Sequence, residues 1–268
     1  LSTYNSSSLI SKINKGEEVI VDPLFQTVFN TADTVYKKTE GAFDCSIAPL
    51  VNSWGFGFSN KEKMDTLKVN QLLQNIGYNK ISLKNDSIFL PSKMLLDFNS
   101  IAQGYTVDLI ANLFDLNGLN HYLIEIGGEI RAKGLNADSE IWKIGVDKPS
   151  EKINSQDRFQ FILELDNKSL ATSGNYRKFY IEDGVRYSHV INPFNGFPAK
   201  NKLLSVTVIH DECIYADAYA TAFMVMGLKN SKILLEENDN LEAYFIFSND
   251  DGELGKYVSK SFNKRILN

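Results

Sequence analysis

In 268 residues the sequence has two cysteines, three histidines, two tryptophans and six prolines, and each scarcity narrows what the chain can be. Cys45 and Cys213 stand far apart without CxxC spacing. That argues against a disulfide scaffold, a zinc ribbon or a thiol redox motif and leaves two buried free thiols as the expectation. No apolar run reaches the roughly 20 residues that cross a bilayer, and residues 1 to 20 lack the basic, apolar and small-residue order of a signal peptide. Lys and Arg number 28 against 33 Asp and Glu, a net charge of -5, and they are scattered along the chain. With no basic stripe, nucleic acid and anionic membranes are disfavoured as partners. GxSxG, HExxH and Walker patterns are also missing, which removes serine hydrolase, zinc protease and P-loop NTPase readings.

What is present is an ordinary globular composition, 43% hydrophobic and 12% aromatic, enough to bury a full core. Pro23 opens a stretch with Leu24, Val28, Phe29, Ala32, Val35 and Tyr36 at helical spacing before Gly41, which predicts an amphipathic helix. Helices are also predicted over "VNQLLQNIG", over "SIAQGYTVDLIANLFDLNG" with Val107, Ile110, Ala111 and Phe114 on one face and Gly118 as the stop, over "YADAYATAFMVMG" and over "SKILLEEN". Strands are predicted for "HYLIEIGGEIRAKG", "WKIGVD", "FQFILELD", "KFYIED" turning at Asp183-Gly184 into "VRYSHVI", "LLSVTVIH" and a closing hairpin in "EAYFIFSNDDGEL". Strands and helices come in clusters without a βαβ rhythm. The expected class is therefore α+β, with mixed or antiparallel sheets and packed helices. No linker or repeat divides residues 1–268, so one compact domain with room for two lobes is expected.

Several stretches carry chemistry. Asp217 and Thr221 sit four apart on a predicted helix, so a carboxylate and a hydroxyl project from one face. As hard oxygen donors they suit Mg²⁺ and leave room for waters and phosphate oxygens. The plainer reading is that Asp217 caps a helix start and Thr221 bonds back to a carbonyl. Asp97, Asn99, Ser100 and Gln103 crowd the entrance of the "IAQGYTVD" helix, where anions are favoured. There Asp97 serves either a ligand or the helix dipole, and Ser100 either a ligand or a cap. Gly127-Gly128 reads as a bulge or a close approach of backbone to something else. It is not GxGxxG and no helix follows it, which argues against a Rossmann site. The Gly104-Tyr105 pair is uninformative. His189 ends a strand just before Asn192-Pro193, a place from which loops present catalytic groups, although a lone His is commonly structural.

Taken in order, "LSTYNSSSLISKIN", "GAFDCSIAPLVNSWGFG", "DFNSIAQGYTVD", "YLIEIGGEIRAKG", "TSGNYRKFY", "SHVINPFNGFP" and "ADAYATAFMVMG" resemble the blocks of the FAD:protein FMN transferases, the ApbE-like flavin transferases once described as thiamine biosynthesis lipoproteins. The resemblance spans nearly the full chain. It implies an ApbE-like fold and an enzyme that binds FAD with Mg²⁺, cleaves the pyrophosphate, moves FMN onto a Thr or Ser hydroxyl of an acceptor protein and releases AMP. By motif, the metal ligands would be Asp217, Thr221 and Ser100, the last through its backbone carbonyl. Flavin contacts would come from Tyr4, Ala42, Phe43, Asp44, Asp97, Gln103 and Ile191, and His189 would be the catalytic base. The acceptor would carry a segment like Asp-Gly-x-Ser/Thr-Gly-Ala-Thr.

Family members commonly work outside the cytoplasm, on the periplasmic side, tethered by a lipid. The chain begins at "LSTYNSSS" without an initiator Met, so the expectation is an upstream signal or anchor, together with a first strand bearing a Met-Gly-Thr-like flavin contact, ahead of residue 1. Membrane association would come through that anchor alone. Gln103 stands where many members carry Lys, Asn99-Ser100 replaces a small pair often containing Gly, and Asn192 replaces the Asp of HxIDP. Phosphate orientation and catalytic strength are therefore open. The alternatives are a Mg²⁺-dependent FAD pyrophosphatase giving FMN and AMP, and a flavin-binding protein without turnover.

Overall fold

The computed structural model describes residues 1–57, 61–149, 158–175, 179–182, 185–249 and 251–267, with backbone alone at 179–182 and 185–188. In chain order the elements are α1 (Leu9–Asn14), α2 (Pro23–Lys38), α3 (Ala48–Ser53), α4 (Thr66–Leu73), β1 (Ser82–Lys84), β2 (Ser87–Phe89), α5 (Ala102–Leu116), β3 (Tyr122–Ile126), β4 (Glu129–Lys133), β5 (Trp142–Asp147) and β6 (Phe159–Leu165). They continue with β7 (Ser169–Gly174), β8 (Phe179–Glu182), β9 (Val185–Ser188), β10 (Leu203–His210), α6 (Cys213–Glu236), β11 (Glu242–Ser248), β12 (Leu254–Val258) and α7 (Lys260–Asn263). The fold is α+β. Six strands form one sheet in the order β12-β11-β10-β7-β4-β3, antiparallel at every pairing. The pairs β1-β2, β5-β6 and β8-β9 form separate two-stranded sheets.

The α2 helix begins as its sequence requires. Asp22 accepts a hydrogen bond from the Phe25 amide, Pro23 occupies the first turn, and Phe25, Val28, Phe29, Ala32 and Val35 are buried. Leu24, expected on the same stripe, is 46% exposed, because it falls beside the apolar arc rather than on it. The main core joins that face to α6 and to Val206, Val208 and Phe245 of the sheet. Val107, Ile110, Ala111 and Phe114 of α5 pack together with Tyr122 and Ile124 of β3, and Gly118 follows α5 at φ 74°, the left-handed conformation that ends helices.

Two predicted elements are continuous here. The α6 helix runs through both "YADAYATAFMVMG" and "SKILLEEN" and is broken at Gly227, whose φ of 72° and ψ of 168° are not helical. Gly127-Gly128, expected as a bulge or close approach, is the two-residue turn of the β3-β4 hairpin rather than a bulge, because Ile126 pairs with Glu129 and both glycines have positive φ, and the close approach is of Gly127 to Gln103. The Asp183-Gly184 turn expected between β8 and β9 lies outside the described residues, as do Tyr176, Arg177 and Lys178 of "TSGNYRKF".

Strand β7 has no predicted counterpart, yet it lies between β10 and β4 in the main sheet. Its sequence, SLATSG, is built of small residues without bulky alternation. It is held by a full ladder to β10 and by a contact between the Thr172 and Thr207 hydroxyls.

Candidate functional site

A cavity of about 680 Å³ opens where the first turn of α5, residues 217–225 of α6, the β3-β4 turn, the residues after β9 and the β5-β6 ribbon meet. That volume suits a cofactor-sized ligand. Tyr4, Ala42, Phe43, Asp44, Asp97, Ser100, Gln103, His189, Ile191, Asp217 and Thr221 all line it. Tyr4 stands at the mouth, 74% exposed, whereas Ala42, Phe43 and Ile191 are buried in the wall.

The two central helices fix each other's ends. Asp217 Oδ2 on α6 accepts a hydrogen bond from the Gly104 amide of α5 at 2.9 Å. In return, Asp108 of α5 accepts from the Cys213 and Ile214 amides that begin α6, each at 2.8 Å. Each helix thus supplies the carboxylate that satisfies N–H groups left over at the other's start. Glu212, at the N-cap of α6, makes no side-chain cap bond. Gly104 makes the approach possible, since a Cβ there would lie 2.4 Å from the Cys213 carbonyl oxygen and 2.8 Å from Asp217 Cβ. It was therefore informative, as the point of closest contact between the helices.

The plainer readings of this helix face need revision. Asp217 caps the facing helix rather than its own. Thr27, Thr34, Thr39 and Thr106 bond back to the carbonyl four residues earlier, but among the described residues the Thr221 hydroxyl has no hydrogen-bond partner and borders the cavity. Ser100 is not the cap of α5. That position falls to Ile101, which carries no side-chain cap bond, while Asp97 Oδ1 accepts from the Asn99 amide at 2.8 Å, a local turn contact.

Gln103 Nε2 donates to the Ile126 carbonyl at 3.0 Å, tying α5 to the β3-β4 turn. A Cβ on Gly127 would sit 1.6 Å from that same nitrogen, at a backbone φ of +66°. Gly127→Ala should therefore break the Gln103 tie and strain the turn, costing about 1–3 kcal/mol. Chemical denaturation would measure it. An alanine variant of parental stability would show that the turn and the Gln103 side chain relax freely.

Burial dominates the electrostatics. It pushes the Asp217 carboxyl up to about 7 against the opposing Gly104 hydrogen bond. It pushes Glu129 up to about 8, with the Asp217 charge adding to the rise. Burial also raises Asp97, countered by its contacts with Asn99, and Asp44, countered by hydrogen bonds from Ser46 and Tyr78.

A carboxyl whose proton is held more tightly in the folded state destabilises that state as pH rises through the interval between its ordinary and its raised value. The interval runs from 3.8 to about 7 for Asp217 and from 4.5 to about 8 for Glu129. The melting temperature of the metal-free protein should accordingly fall between about pH 5 and about pH 8, and Asp217→Asn should flatten the fall. A melting temperature that climbs over this range in scanning calorimetry would contradict the assignment.

Among the described residues, no three His, Cys, Asp or Glu side chains gather as a metal cluster. A cation here would draw on one carboxylate, the Thr221 hydroxyl and a backbone carbonyl such as that of Ser100. Such a hard-oxygen set leaves positions for water and phosphate, as Mg²⁺ prefers. The half-bonded, buried Asp217 fits that role. His189 lies at the end of β9, its ring edge-on to Phe56 with centroids 6.5 Å apart.

A family model described as the ApbE family matches residues 1–245. The chain belongs to the ApbE family. It is 37% identical to the FAD:protein FMN transferase of Vibrio cholerae serotype O1 over 98% of this chain and 79% of that protein. Identity is 32% to the FAD:protein FMN transferase of Escherichia coli K12, over 94% and 73% respectively. Among solved structures, the flavin transferase ApbE from Vibrio cholerae superposes with a TM-score of 0.88 at 36% identity, covering 99% of this chain and 85% of that one. The Thermotoga maritima ApbE protein gives 0.87 at 26% identity, covering 100% and 86%.

Some of this ApbE member's cavity residues carried no signal in the sequence. Glu129, Asp147 and Arg158 line the cavity, and Arg158 is ion-paired with Asp147 at 2.6 Å. Glu129 follows the paired glycines directly. Recognising those glycines as a hairpin turn would have placed Glu129 beside the site.

Proposed function

We propose that this protein is a Mg²⁺-dependent FAD:protein FMN transferase, moving FMN from FAD onto a Thr or Ser hydroxyl of an acceptor protein and releasing AMP. The observation that carries the reading is the convergence of Asp217, Thr221, Ser100 and His189 on one cavity, in a chain whose relatives bear that name.

Asp217, Thr221 and the Ser100 carbonyl would hold the metal, which when bound supplies charge neutralisation at the pyrophosphate. Phe43, Ala42 and Ile191 give an apolar wall for a flavin ring, with Tyr4 able to close over it from the mouth, and Asp44 and Asp97 offer carboxylates to its polar edges. Gln103 keeps the β3-β4 turn drawn against α5, which shapes the floor. His189 borders the same cavity, where it would take the proton from the acceptor hydroxyl as that oxygen attacks the FMN phosphorus and the bond to AMP breaks. We further propose that the full-length protein acts on the periplasmic side through an upstream lipid anchor. A full-length gene product with neither an upstream signal nor a lipobox Cys would overturn that placement.

The test is incubation with FAD, Mg²⁺ and a protein bearing an Asp-Gly-x-Ser/Thr-Gly-Ala-Thr-like segment, read by intact mass and nucleotide analysis. Flavinylated acceptor with AMP is the expected result. Free FMN with AMP and an unmodified acceptor would make the enzyme a pyrophosphatase, and unchanged FAD would make it a binding protein.

A further inference from the structure

Glu129 is the first residue of β4, directly after the Gly127-Gly128 turn, and it lines the cavity together with Asp217. The residue is 8% exposed. Its Oε2 is fully buried and, among the described residues, has no hydrogen-bond partner. A buried carboxylate oxygen left unbonded is costly, and native proteins keep one where something else is to meet it.

The surroundings narrow what that something is. The carboxylates lining the cavity are Asp44, Asp97, Glu125, Glu129, Asp147 and Asp217, and Arg158, the one Lys or Arg among the described lining residues, is engaged with Asp147. The charges acting on Glu129 are those of Asp217 from α6 and Glu125 from β3, offset in part by its own backbone N–H. Two carboxyl groups buried together stay ionised only where a positive group joins them. In the absence of nucleotide, a divalent ion bound by Asp217 alone would keep an uncompensated positive charge in a buried place.

We propose that the Glu129 carboxylate is a further ligand to the divalent cation, acting with Asp217, Thr221 and the Ser100 carbonyl and bringing the second negative charge to that ion. This rests on the metal reading of the same site given above. It assigns Glu129 to the metal rather than to a hydroxyl of the nucleotide, and the two can be told apart by leaving the nucleotide out.

The full chain is titrated with Mn²⁺ alone, without FAD, and free Mn²⁺ is read by electron paramagnetic resonance. Glu129→Gln should weaken binding about tenfold or more, the scale on which groups around a metal set its affinity. Glu125→Gln, which removes a charge from the same cavity but from an exposed side chain, should bind as the parent does. Parental affinity in Glu129→Gln overturns the assignment, and so does an equal loss in both variants, which would mean a general field effect. If the parent itself binds no Mn²⁺, the metal reading of the whole site falls and this one with it. Should Glu129→Gln fail to fold, Glu129→Asp replaces it, keeping the charge but drawing the oxygen back by one methylene. A several-fold loss is then expected, and parental affinity overturns the assignment.

Discussion

Asp217→Ala should lower FMN transfer by about three orders of magnitude or more while the chain still folds, because the substitution removes the carboxylate on which the proposed metal placement depends, an effect worth several kcal/mol in the transition state. Alanine also takes away the acceptor of the Gly104 amide, so a stability loss would accompany it. Asp217→Asn separates the two roles. Its amide oxygen can still accept from Gly104, and its neutral side chain no longer bears the burial cost of a charge. The asparagine variant should therefore melt at or above the parental temperature at about pH 8 and yet be as inactive as the alanine variant. Calorimetry paired with a transfer assay at saturating Mg²⁺ decides the matter. Full activity in either variant would remove Asp217 from the metal site.

The second large effect is expected at His189. Replacing it by alanine should leave FAD binding within a few-fold of the parent but slow transfer by about two to four decades, the range that a general base supplies. The ring stands against Phe56 at the cavity rim, whereas the buried wall is formed by Ala42, Phe43 and Ile191. Affinity and rate should thus separate. Equilibrium FAD titration beside single-turnover transfer measures both. A defect confined to FAD affinity, or a parental transfer rate, would return His189 to a structural role.

The parts of the site that were legible in the sequence are those written in local spacing. Asp217 and Thr221 share a helix face by their separation alone, and Pro23 announces the start of α2 by its place at the first turn. What local spacing does not carry is which segments meet. The Asp217 bond to Gly104 joins residues 113 apart in sequence, so nothing in either segment signals that the carboxylate of one helix serves the other. The resemblance of the seven blocks to a family supplied that convergence for the predicted residues. It said nothing of Glu129, whose place depends on the hairpin turn. Strand β7 lacks a local signal for another reason. Its small residues lack the bulky alternation that marks a strand, and its pairing comes from the neighbours on either side. The short helices α1, α3 and α7, of four to six residues, offer too few turns for a periodic pattern to emerge.

The reciprocal capping of α5 and α6 has a consequence for how the molecule opens. The amides of Gly104, Cys213 and Ile214 are held by carboxylates from the opposite helix, so neither helix start can be exposed to solvent without parting from the other. In hydrogen-deuterium exchange these three amides should behave as one cooperative unit with a shared opening free energy. One of the acceptors, Asp217, faces the cavity. An event at the cavity that engages its carboxylate would register at helix starts on both sides of the contact, which makes the exchange rate of the Gly104 amide a direct readout of occupancy.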